Sequence, residues 1–241
     1  MSAQRESAGQ GNGVLTAPDN ALVHCEAVAR TYGNGPQAVP AVRGVTSTVH
    51  RGVRIALTGP SGSGKSTLLH LMAGLEQPTS GSVRWPELGG PPAGRPGIIG
   101  MVFQGPSLVP ALDVVENVAL PLLLAGASRA DAIAQALLAL DRLAIGELAT
   151  KLPEEISGGQ AQRVAVARVL ASRPRLILAD EPTGQLDSAT GARVVSVLLE
   201  TAAEVDAALV VATHDLSVAD RLPTRWVMAD GRLTDTEETP R

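Results

Sequence analysis

The chain predicts an α/β fold: a parallel sheet with helices on its faces, a small antiparallel β subdomain near the N-terminus, and an α-helical insertion. Three observations predict it. Short apolar runs at 54–57, 176–179 and 208–213 are each followed by a polar group and then a helical pattern, the alternation of a parallel sheet. The stretches ALVHCEAVA and AVRGVTSTV, within the first 50 residues, are β-rich with polar interleaving, as in an antiparallel sheet beside the parallel one. Residues 128–149 are Ala- and Leu-rich with apolar positions at helical spacing, and they fall between two of the strands. Near the end, RWVMADGRLTD sets Asp230-Gly231 between two short runs, a hairpin signal.

Composition narrows the function classes. A chain of 241 residues with 44% hydrophobic and 18% charged residues can bury a single sizeable core. A net charge of -4 and a pI near 5.6 argue against nucleic acid as a partner. The single Cys25 cannot form an intrachain disulfide, which fits a reducing compartment. Residues 1–20 have no apolar core of a signal peptide, and the most apolar run, 118–127, is too short for a membrane helix of roughly 18 residues. The expected organisation is one domain over 21–235 between disordered tails at 1–20 and 236–241, with a helical subdomain over about 106–168.

The chemistry begins at ALTGPSGSGKSTLLHLMAGL. Gly59, four residues, then Gly64-Lys65-Ser66, after a strand and opening a helix, is the pattern of a phosphate loop. Its glycines let successive N–H groups turn towards a β-phosphate, and the helix N-terminus faces the same charge. Gly59, Pro60, Ser61, Gly62, Ser63, Gly64, Lys65, Ser66 and Thr67 form the candidate nucleotide-binding loop. Lys65 would pair with β and γ oxygens and the Ser66 hydroxyl would ligate Mg²⁺.

LILADEPTG supplies a partner, four apolar residues ending in Asp180 and Glu181. Side chains alternate on a strand, so one carboxylate can face the metal shell and the other an attacking water. Asp180 is assigned to the metal and Glu181 to general base. His214 follows LVVAT at a third strand end, where polar groups converge on one crevice, and is a candidate γ-phosphate contact. Gln104, in MVFQGPSLVP, can hold Mg²⁺ or the water through its side-chain carbonyl. Tyr32, the only tyrosine, can offer a ring face to a purine or simply pack.

EISGGQAQRVAVAR places two glycines at the head of a helix, where each costs about 1 kcal/mol against alanine in a helical interior. Ser157, Gly158, Gly159 and Gln160 make a second anion site of free N–H groups and a hydroxyl. One nucleotide does not need two such sites from one chain. A head-to-tail pair would use both, each chain closing over the nucleotide on the other's phosphate loop.

GPSGSGKST, FQ, ISGGQAQRVAVARVLASRPRLILADEPTGQLD and THD, in that order and spacing, resemble the nucleotide-binding domain of an ATP-binding cassette (ABC) transporter over roughly 21–235. The resemblance implies a P-loop NTPase fold with a RecA-like core, ATP and Mg²⁺ as cofactors, and an ATP sandwich between two chains. It also implies Tyr32 stacking on adenine, Gln104 in the loop that senses the membrane partner, and Asp187 in the loop crossing between chains. Within the family, FQGPSLVPALDVVENVALPLLL with LADEPTG and LD looks most like the ATPases of lipoprotein-releasing and macrolide-export type, whose permeases carry large extracytoplasmic domains.

Ile156 stands where that pattern usually has Leu, Gln185 where the subgroup has Asn, and 81–104 is short, with a compressed PELGGPPAGRPG loop. The implied function is an ATPase powering a permease in export or extraction, cytoplasmic and held at the inner face of the membrane through that permease. The alternative is an ATPase that transmits force to a membrane partner without moving a substrate.

Overall fold

The computed structural model describes residues 20–238. The tails expected at 1–20 and 236–241 lie outside the described residues except at their inner ends, where 236–238 complete the last strand.

Two sheets share one α/β domain. The small one has the order β2-β1-β4, with β1 (Ala21–Tyr32) antiparallel to β2 (Val39–His50) and to β4 (Ser80–Arg84). The large one has the order β5-β6-β7-β3-β8-β9, built from β3 (Arg54–Thr58), β5 (Ile99–Val102), β6 (Leu176–Asp180), β7 (Ala208–Ala212), β8 (Thr224–Ala229) and β9 (Arg232–Glu238). Its first five strands are parallel, and β9 closes the edge antiparallel to β8. The β8–β9 turn has Asp230 and Gly231 at φ 49° and 76°, the left-handed pair that a two-residue hairpin requires.

The central strands read as unbroken apolar runs because both faces are covered. Along β6, Ile177 and Ala179 enter one core while Leu176 and Leu178 enter the other, and along β7 Leu209 and Val211 alternate with Ala208, Val210 and Ala212 in the same way. One core is completed by α1 (Lys65–Met72) and the small sheet. The other is completed by α2 (Val114–Leu124), α3 (Arg129–Arg142), α4 (Gly158–Ala171) and α5 (Ser188–Glu204). Each fully buried Leu, Ile or Val contributes about 1.5–3 kcal/mol over exposure, so the two faces together fix the sheet between its layers. A short α6 (Leu216–Ala219) follows β7.

The predicted helix over 128–149 ends earlier, at Arg142, because Ala144 turns to φ 51° and leads into a single 3-10 turn at Gly146–Leu148. The boundary expected near 168 falls inside α4, which runs on to Ala171. The compressed loop after β4 is ordered: Trp85 Nε1 donates to Met72 O at 2.8 Å, Arg95 donates to Leu88 O, and the chain then enters β5.

Asp113 begins α2 with a reciprocal cap: its carboxylate accepts from Glu116 N at 2.8 Å, and the Glu116 carboxylate accepts from Asp113 N at 3.4 Å. Asp113→Ala is expected to lower stability by about 1 kcal/mol. In urea unfolding this reads as a lower midpoint at unchanged slope; an unmoved midpoint would mean the cap contributes nothing.

Candidate functional site

The carboxyl ends of β3, β7 and β6 are neighbours in the large sheet, and the polar groups following them meet there. The glycine loop after β3 is held against backbone from both sheets. A Cβ on Gly59 would run into Met228 O, and one on Gly64, at φ 100°, into Ala41 O. Lys65 is buried, and its ammonium donates back to Gly59 O at 2.8 Å and Pro60 O at 3.0 Å, poised over the loop's own curve. Ser63 is also buried, and among the described residues its hydroxyl has no hydrogen-bond partner.

Asp180, the last residue of β6, is buried, and its carboxylate hydrogen-bonds Ser66. Burial raises its pKa, and the Ser66 hydroxyl opposes the rise. Glu181 corrects the reason given for its role. It does not alternate with Asp180 along a strand, because β6 has ended; it sits at φ 46°, its N–H donating to Ala212 O at 2.9 Å. That left-handed turn, rather than the pleat, aims its carboxylate at β7, where Glu181 Oε1 lies 2.9 Å from His214 Nδ1. The ring must carry its proton on Nδ1 to make this bond, which frees Nε2 for a second partner. The bond to Glu181 raises the His214 pKa above its usual value.

These residues surround an open cavity of about 650 Å³ lined by Ser61, Gly62, Gly64, Lys65, Ser66, Thr67, Gln104, Asp180, Glu181 and His214. Sequence reasoning missed three more lining residues, Ala41, Gly184 and Gln185. Ala41 belongs to β2, far away in the chain, and no local pattern could place it here.

Nine predicted site residues are not among those lining this cavity: Gly59, Pro60 and Ser63 of the loop itself, and Tyr32, Ser157, Gly158, Gly159, Gln160 and Asp187. Tyr32 ends β1 with its hydroxyl donating to Glu76 at 2.7 Å and the Arg30 guanidinium 4.8 Å from its ring centroid. Asp187 caps α5, accepting from Thr190 N at 3.0 Å. Ser157 caps α4: its hydroxyl accepts from Gln160 N at 3.3 Å, and Gln160 Oε1 accepts from Ser157 N at 2.8 Å. The hydroxyl accepts within its own chain and keeps its O–H as a donor, beside the amides of Gly158 and Gly159, first-turn donors without intrahelical partners. A Cβ on Gly158 would come 3.2 Å from Gln185 Oε1 and one on Gly159 would come 3.3 Å from Leu186 Cδ2, so either substitution would require those side chains to shift by a few tenths of an ångström.

The cavity suits a nucleotide with a hard cation. Among the described residues no group of three or more His, Cys, Asp or Glu could hold a metal unaided. Ser66, Asp180 and Gln104, which all line it, offer a hydroxyl, a carboxylate and an amide, the sparse oxygen set that Mg²⁺ accepts when phosphates and water complete its shell.

A glycine loop of phosphate-binding form, with paired acids at the end of the next strand but one, defines a P-loop nucleotide hydrolase. Residues 42–184 match the model of the ABC transporter family, and the chain belongs to that family as its ATP-binding, ATP-hydrolysing component. It is 40% identical over 229 residues to the lipoprotein-releasing system ATP-binding protein LolD of Shewanella denitrificans, covering 90% of this chain and 96% of the relative. With LolD of Legionella pneumophila (strain Lens) it shares 41% over 211 residues, 85% of this chain and 93% of that one. Among solved structures it is similar to the dimeric bacterial ABC transporter cassette MJ0796, with a TM-score of 0.85 at 35% identity, covering 91% of this chain and 99% of the other. It is also similar to cbiO1 of Clostridium perfringens, with a TM-score of 0.75 at 27% identity, covering 91% and 89%.

Proposed function

We propose that two copies of this chain close head-to-tail around two Mg-ATP and drive a membrane permease of lipoprotein-releasing type, extracting or exporting a lipid-borne substrate. The observation that carries the two-chain reading is that Gly158 and Gly159, at the head of α4, are not among the residues lining the phosphate-loop cavity of their own chain. Each half is built for an anion, and a second copy supplies the missing half.

In this reading the phosphate loop holds the β-phosphate through its amides, and Lys65 leaves its carbonyl partners to pair with β and γ oxygens. Ser66, Asp180 and Gln104 would hold Mg²⁺, which neutralises charge on the phosphates when bound. Glu181 accepts the proton of the attacking water as its oxygen bonds to the γ-phosphorus, and the β–γ bridging oxygen departs with ADP. His214, oriented by Glu181 and protonated on both ring nitrogens, donates through Nε2 to the γ-phosphate. Tyr32 presents to adenine the ring face that Arg30 leaves free, and Asp187 faces the partner copy. ATP turnover needs no nucleic acid in this scheme.

No helix among the described residues is long and apolar enough to cross a membrane, so attachment at the inner face would come through the permease. The relatives named LolD support the subgroup, as does their coverage of nearly the whole chain. The test is to tag the chain in its native cells, solubilise membranes gently in Mg-ATP and identify what co-purifies. A permease with a large extracytoplasmic domain is expected; recovery of a division or signalling complex instead would favour force transmission without transport.

A further inference from the structure

We infer that Arg168 and Gln162, both on α4, are positioning residues that set Gln104 by gripping the backbone on either side of it. The inference rests on the role proposed above for Gln104. Gln104 lies in the connection between β5 and α2, its side chain is exposed, and among the described residues that side chain makes no hydrogen bond, although it lines the nucleotide cavity. Its place is therefore decided by its backbone.

That backbone is held by side chains of the helical layer. Gln162 has no exposed surface and donates through Nε2 to Phe103 O at 3.3 Å, one residue before Gln104. Arg168 forks onto the other side, Nη1 donating to Ser107 O at 2.9 Å and Nη2 to Pro106 O at 3.4 Å. Ser107 stands at φ 45°, a left-handed conformation that a serine keeps only where its surroundings over-determine it. The arginine fork on its carbonyl is such a constraint. Farther along, Asn117 of α2 accepts from Val109 N at 2.7 Å and donates to Val109 O and Leu112 O at 3.1 and 2.9 Å, so the connection is pinned at its far end as well.

Packing alone does not account for Gln162. Its Oε1 is buried without a hydrogen-bond partner among the described residues, which an apolar residue of the same shape would avoid. Arg168 and Gln162 also share a helix with Ser157 at its cap.

The experiment is a double-mutant cycle on the full chain, measuring kcat, KM for ATP and the Mg²⁺ midpoint of ATP turnover for Arg168→Met, Arg168→Lys and Gln162→Met, each alone and with Gln104→Ala. Arg168→Met alone is expected to lower kcat about tenfold and raise the Mg²⁺ midpoint severalfold, with KM for ATP within about twofold, as for a lost positioning contact. Arg168→Lys, which keeps the charge but cannot fork, is expected to fall between. In the Gln104→Ala background the same changes are expected to cost nothing further. Wild-type kcat and Mg²⁺ dependence in both Arg168→Lys and Gln162→Met, or a full additional loss on top of Gln104→Ala, would overturn the inference; these two variants carry the test should Arg168→Met fail to fold. If Gln104→Ala alone left turnover and Mg²⁺ dependence untouched, the role of Gln104 on which it rests would fall with it.

Discussion

Glu181→Gln is expected to slow ATP hydrolysis by about 10²-fold or more while leaving ATP binding intact, the loss that follows removal of a positioned base. The substitution isolates proton transfer because almost everything else about the residue is kept. The left-handed turn at φ 46° and the bond from its N–H to Ala212 O belong to the backbone. Glutamine has the same shape, and its carbonyl oxygen can still accept from His214 Nδ1, so the ring stays oriented. The group has lost only the capacity to take a proton. Nucleotide held by the phosphate loop should then outlast the catalytic cycle, and an ATP-dependent dimer should accumulate, visible as a shift in size-exclusion elution with Mg-ATP. Near-normal turnover in this variant would place the base elsewhere.

Ser157→Arg is expected to abolish pairing of the two chains and with it nearly all turnover, yet to leave nucleotide binding by a single chain within about twofold, because Ser157 lies outside the cavity that holds the loop. The arginine would fill the approach to the Gly158 and Gly159 amides. It also removes a cap, which by itself costs about 1 kcal/mol. Ser157→Ala separates the two effects, since it loses the cap bond from Gln160 N without adding bulk. Full ATPase activity in Ser157→Arg would sink the two-chain arrangement; loss of activity in Ser157→Ala as severe as in Ser157→Arg would assign the effect to the cap instead.

Much of the site is legible in the sequence because its parts are local. The phosphate loop is one continuous stretch between a strand and a helix, and the runs ending at Asp180 and before His214 are apolar on both faces, so periodicity finds them without knowledge of their neighbours. The strands β4 and β5 escape such reading. Each is short and contains glycine, and β5 follows a Pro/Gly loop whose order depends on contacts such as Arg95 with Leu88 O and Trp85 with Met72 O. The place of Glu181 at the end of β6 was legible but its orientation was not, since pleat alternation stops where β6 stops. Ala41 reaches the cavity through tertiary approach alone. Gln162 and Arg168 look like ordinary helix residues, one polar and one basic, until the carbonyls that they hold are seen.

The glycines of the phosphate loop are fitted between carbonyls from two different sheets, Ala41 O of β2 and Met228 O of β8, and the tip of the β8–β9 hairpin completes the arrangement: Gly231 N donates to Ser63 O at 3.1 Å and Arg43 N donates to Gly231 O at 2.7 Å. The wall behind the phosphates is thus assembled from segments near both ends of the chain. A protein built this way cannot complete its nucleotide pocket until the last hairpin has been synthesised and has docked, so the capacity to hold ATP arrives late, as a report that the whole domain has closed.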